Sequence, residues 1–151
     1  MSPRLDYARL ADGGMKALGG VHGYLAQCGL PKRLLDLVFL RVSQINGCAY
    51  CIDLHARDLL KEGLDVEKLV LVPVWYEAED LFSAQEQSAL AWAETVTRVA
   101  QTTVPDADFE EASRHFSEKE LADLTIAIGL MNAYNRLAIS FRQTPQAAKQ
   151  G

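Results

Sequence analysis

The chain has 151 residues, with 49% apolar and 23% charged side chains, the balance of one globular domain with its own hydrophobic core. Fifteen Lys and Arg against twenty Asp and Glu leave a net charge of −5 without a basic cluster, which argues against binding nucleic acid or an anionic membrane. The opening Met1-Ser2-Pro3-Arg4-Leu5-Asp6 has no apolar core for a signal peptide, and the nearly uncharged stretch Leu124–Asn135 is too short to span a bilayer. A cytoplasmic protein is expected.

The predicted elements are all helices. Arg4–Cys28 reads as a helical segment broken at Gly13-Gly14 and Gly19-Gly20 and ending at Cys28-Gly29. Pro31, a favoured first-turn residue, opens a helix over about Lys32–Ile45. That helix is apolar nearly all round, so it should be buried. Asn46-Gly47 is a stop and turn signal. The next helix starts at or near Cys48 and runs to about Glu62, where Gly63 ends it.

A short helix or turn follows through Asp65–Val72, before Pro73. Ser83-Ala84-Gln85-Glu86 is a capping box that opens a helix to about Ala100. Pro105-Asp106 opens a short helix. Ser117-Glu118-Lys119-Glu120 is a second capping box, leading into Leu121–Phe141. The tail from Arg142 should fray. No strand pattern and no internal repeat stands out. The expectation is a single all-α domain over residues 1–151.

The chemistry concentrates in Cys48-Ala49-Tyr50-Cys51-Ile52-Asp53-Leu54-His55, a C-x-x-C-x-x-x-H pattern. Residues three and four apart share a helix face, with Cβ atoms roughly 5–6 Å apart, so the three side chains form one stripe. A disulfide needs Cβ atoms about 3.5–4.5 Å apart, within reach of a small adjustment in the first turn. First-turn amides carry partial positive charge and stabilise a thiolate. Cys48 is nearest those amides, and Cys51 is nearest His55, which can accept its proton. Which thiol attacks first stays open at this level. Redox chemistry is favoured, because a structural zinc site needs four ligands and Cys28, His22 and His115 are singly placed.

Asp36 sits on the apolar helix between Leu34-Leu35 and Leu37-Val38, where an unpaired carboxylate is costly. It either contacts His55, directly or through water, or pairs with Lys32 or Arg33. Cys28 reads as a small buried side chain, and His22 and His115 as surface or capping residues. Trp75, Tyr76 and Trp92 read as core or subunit-interface aromatics. Leu121–Phe141 has more apolar surface than one core needs, including Ile126 and Ile139, which suggests an oligomer interface. Asn132, Asn135 and Arg136 read as interior or interface polar contacts.

The run Leu40–His55 closely resembles the core of the AhpD-like alkylhydroperoxidases of the carboxymuconolactone decarboxylase superfamily. The family signature is Glu, eleven residues, Cys, two residues, Cys, three residues, His. Asp36 stands at the Glu position, and Cys48, Cys51 and His55 fill the rest. Tyr50 stands where the best-known members carry a His between the cysteines. Ala89–Trp92, Phe116–Leu121 and Asn132–Leu137 look like later family segments, so the resemblance covers roughly residues 20–142.

The resemblance implies an all-α fold, assembly into trimers or hexamers, and a cofactor-free, metal-free cycle that reduces alkyl hydroperoxides or disulfides. It implies that Cys51 is the peroxidatic thiolate and Cys48 resolves its sulfenic acid to a disulfide. His55 and Asp36 would relay protons, and an external dithiol or protein reductant would restore the thiols. The alternatives are a non-enzymatic redox sensor or scaffold switched by a 48–51 disulfide, and a metal-binding C-x-x-C-x-x-x-H site.

Overall fold

The structure, a computed structural model, describes residues 1–149, and these contain nine α-helices and no strand. The helices are α1 (Tyr7–Leu10), α2 (Asp12–Leu25), α3 (Lys32–Asn46), α4 (Ala49–Lys61), α5 (Val66–Leu71), α6 (Ala84–Thr97), α7 (Val99–Thr102), α8 (Asp106–Ser113) and α9 (Glu118–Ser140). Two 3-10 turns, Val72–Glu77 and Glu79–Leu81, join α5 to α6. No helix among the described residues is long and apolar enough to cross a membrane.

Helix α3 is the axis of the domain, packed against α4, α6 and α9. Every residue from Leu34 to Ser43 is buried. Its two sides serve two cores, which is why the helix is apolar all round. Leu34, Leu35, Val38, Phe39 and Val42 join Trp92, Ala93, Leu124, Ile128 and Met131 in the larger one. Leu37 and Leu40 join Leu59, Leu64, Val72, Phe82 and Leu90 in the smaller. Arg41, buried within α3, is paired with Glu94 at 2.7 Å, and Trp75 donates to the same carboxylate.

Both capping boxes are formed. The Ser83 hydroxyl accepts from the Glu86 amide while the Glu86 carboxylate accepts from the Ser83 amide, and Ser117 and Glu120 do the same at α9. The paired glycines do not break α2. A helical glycine costs about 1 kcal/mol relative to alanine. Here Leu18, Val21 and Leu25, spaced one turn apart, pack on the larger core and hold the helix continuous through them. The break falls instead at Ala11, between α1 and α2. Helix α6 stops at Thr97 rather than near Ala100, and α7 follows as a separate turn. Beyond Arg142, the Ala147 amide donates to the Asp53 carboxylate at 3.0 Å, placing the tail beside α4.

The turn between α3 and α4 positions the cysteines. Gly47 has φ +71°, in the left-handed region, and its amide returns to the Ser43 and Gln44 carbonyls. The Cys48 amide also bonds the Ser43 carbonyl, at 3.0 Å, closing a Schellman-type end. A Cβ at Gly47 would meet no atom within 4 Å, so backbone strain alone opposes a side chain there. Gly47→Ala is expected to lower stability by about 1–2 kcal/mol, the cost of a left-handed non-glycine residue, measured as a urea midpoint shift at unchanged m-value.

Candidate functional site

Cys48 and Cys51 are joined by a disulfide, with Cα atoms 5.3 Å apart. Cys48 lies one residue before α4 in extended conformation and acts as its N-cap, its Sγ accepting from the Cys51 amide at 3.3 Å. That extended backbone supplies the adjustment the pairing needs. Both cysteines are buried, 1% and 3% exposed, against Ala138 of α9. Their surroundings differ. Cys51 faces a cavity of about 250 Å³ that Cys48 does not line.

This cavity is lined mainly by aromatic and apolar side chains. Tyr50, Leu54 and His55 come from α4, Met131, Tyr134 and Ala138 from α9, and Tyr7, Met15 and His22 from the N-terminal helices. Arg4 ties the N-terminal segment down, donating to the Ser140 and Phe141 carbonyls, and the Tyr7 ring packs against Phe141 at 5.4 Å. Burial raises the phenol pKa values of Tyr7 and Tyr134 above their ordinary range.

His55 is 6% exposed, its ring 5.3 Å from that of Phe39. Its Nδ1 is buried without a hydrogen-bond partner among the described residues. Burial pushes its pKa down to about 4, with His22 and Lys32 adding to the fall and Asp58 opposing it. The imidazole is therefore neutral near pH 7, available to accept a proton or hydrogen bond.

Asp36 is also buried, but it is paired with Lys32 at 2.5 Å, and the Lys32 ammonium also holds Glu62. No hydrogen bond joins Asp36 to His55 among the described residues. Of the two placements open to Asp36 from sequence, the structure contains the ion pair. Burial lifts its carboxyl to about 6, against the pull of Lys32 and with Glu62 adding to the rise. Asp36 lines a second cavity, of about 120 Å³, with Lys32, Phe39 and His22.

His22 was expected at the surface, and it also borders the site. It is exposed, yet it lines the cavity of Cys51 and His55 and also the cavity of Asp36. A signal was present: His22 lies on the apolar stripe of α2, four residues after Leu18 and three before Leu25. Cys28 is half-buried and free, packed beside the larger core, and His115 pairs with Glu111 at 3.4 Å. Asn135 is fully buried; it accepts from Asn46 and donates to Ser43, fixing the end of α3 against α9. No group of three or more His, Cys, Asp or Glu side chains among the described residues is placed to hold a metal ion.

A buried disulfide at a helix start, opening on an apolar cavity beside a neutral histidine, defines an all-α protein built around a dithiol site. A model of the carboxymuconolactone decarboxylase family matches residues 13–95. YdfG of Bacillus subtilis is 34% identical over 140 residues, which cover 93% of this chain and 95% of YdfG. The crystal structure of Atu0492 from Agrobacterium tumefaciens, provisionally assigned to AhpD-type antioxidant defence, superposes with TM-score 0.91 at 37% identity. That match covers 95% of this chain and 98% of Atu0492. The alkyl hydroperoxide reductase AhpD of Coxiella burnetii is 49% identical over 39 residues, 26% of this chain and 22% of AhpD. The chain belongs to the carboxymuconolactone decarboxylase family, with an AhpD-like fold.

Proposed function

We propose that the protein is a thiol-dependent peroxidase that reduces organic hydroperoxides through a Cys48–Cys51 dithiol–disulfide cycle. The observation that carries this reading is the asymmetry of the two sulfurs, Cys51 facing the cavity with His55 and Cys48 capping α4 behind it.

Neutral His55 accepts the Cys51 proton. The Cys51 thiolate attacks the terminal oxygen of ROOH; the S–O bond forms, the O–O bond breaks and the alkoxide leaves as ROH after taking up a proton. Sulfur is oxidised by two electrons to a sulfenic acid. The Cys48 sulfur, held at the N-cap by the Cys51 amide, attacks the sulfenic sulfur as a thiolate, and hydroxide leaves as water after protonation. The helix start stabilises that thiolate. An external dithiol restores both thiols by exchange. Asp36, with its carboxyl at about 6 and no direct hydrogen bond to His55, joins the relay through water. Assembly into trimers or hexamers, through exposed apolar residues such as Ile126 and Ile139, is part of the same proposal.

The test is hydroperoxide consumption by reduced protein with a panel of small dithiols and lipoyl or thioredoxin-type reductants. Catalytic turnover with at least one pair is expected. Failure of every oxidant and reductant pair to turn over would remove the enzymatic reading.

A further inference from the structure

The peroxide step needs two proton movements, one off the Cys51 thiol and one onto the departing alkoxide. His55 fits the first. The second needs a donor that faces the cavity and recovers its proton from solvent. His55 takes up the Cys51 proton but is buried from solvent, and the Tyr7 and Tyr134 phenols, held above their ordinary pKa range, are weaker acids than an imidazolium. Asp36 does not line the cavity of Cys51. His22 lines it and is solvent-exposed.

His22 is also the residue shared by the two cavities, with Cys51 and His55 on one side and Lys32 and Asp36 on the other. The Phe39 ring packs against both imidazoles, its centroid 6.1 Å from that of His22 and 5.3 Å from that of His55. Among the described residues the His22 ring makes no hydrogen bond, so its nitrogens are not committed to the fold.

We propose that His22 is the general acid of the peroxide step, placed between the Cys51 cavity and the Asp36 cavity. As the Cys51 sulfur bonds to the terminal oxygen and the O–O bond breaks, the electron pair goes to the inner oxygen. That oxygen takes the His22 proton and leaves as ROH. Neutral His22 is reprotonated from solvent on its exposed side. This role rests on the peroxidase reading.

The experiment compares His22→Gln with wild type using two oxidants that differ in leaving group. tert-Butyl hydroperoxide expels a basic alkoxide that needs a proton, whereas peracetic acid expels a stable carboxylate that does not. His22→Gln is expected to lower kcat/KM for tert-butyl hydroperoxide by about 10²-fold or more, within the usual range for a lost general acid, and to leave peracetic acid within a few-fold. Equal slowing of both oxidants would assign His22 a structural role and overturn the proposal, as would unchanged turnover of tert-butyl hydroperoxide. If wild type consumes neither oxidant, the peroxidase reading itself falls and the role of His22 with it.

Discussion

Cys51→Ser is expected to abolish catalytic hydroperoxide consumption, a loss of at least about 10³-fold, because a serine hydroxyl is neither ionised near pH 7 nor an electron donor to peroxide. The fold should survive, since Ser differs from Cys by one atom and the site sits at a helix start. Cys48→Ser should behave differently. The cavity-facing Cys51 remains, so the first equivalent of hydroperoxide is consumed at close to the wild-type rate. Turnover then stops with a sulfenic acid on Cys51 that dimedone traps. Loss of the first turnover in Cys48→Ser and its survival in Cys51→Ser would reverse the two roles. Rapid mixing with dimedone labelling and mass spectrometry distinguishes these outcomes.

Asp36→Asn is expected to change the pH dependence of stability strongly, as is His55→Gln in the opposite direction. The His55 pKa is about 4 in the folded protein against an ordinary 6.5. Between those values the unfolded chain binds more protons, so the His55 contribution makes stability rise with pH. Asp36 stands at about 6 against an ordinary 3.8. Between those values the folded protein binds more protons, so its contribution makes stability fall as pH rises. The two contributions oppose each other between about pH 4 and 6. Asparagine removes the second at nearly constant shape. The stability of Asp36→Asn relative to wild type should therefore increase from pH 4 to pH 6.5, by about 2 kcal/mol. His55→Gln should give a difference of opposite slope. Urea unfolding of all three proteins at pH 4, 5 and 6.5 makes the comparison; parallel curves would show that neither group is shifted as described.

Much of the fold was legible because its signals are local. Ser83 with Glu86 and Ser117 with Glu120 satisfy backbone amides within one turn, and Asn46-Gly47 marks the left-handed end of α3. The all-round apolar character of α3 correctly predicted its burial; that it serves two cores came only from the structure. What failed was local propensity set against packing. Gly13, Gly14, Gly19 and Gly20 weaken a helix, but Leu18, Val21 and Leu25 bury one face of α2 and override them. In the site, the spacing put Cys51 and His55 on one face of α4, with Cys48 at its start, where the structure has it as the N-cap. The choice of partner for Asp36 was not legible, because the same-helix Lys32 and the tertiary partner His55 are both within plausible reach of a carboxylate on α3. His22 is exposed as expected; that it also lines two cavities was not legible, because those cavities are assembled from distant segments, Tyr7 and Met15 on one side and Asp36 on the other.

The most direct measurement is a titration of the fully reduced wild-type protein with hydroperoxide, followed by thiol alkylation and peptide mass spectrometry. One equivalent of hydroperoxide should remove two alkylatable thiols, join Cys48 to Cys51 and leave Cys28 free. Consumption of hydroperoxide with Cys48 and Cys51 still alkylatable, or no consumption at all, would contradict a dithiol cycle at this site.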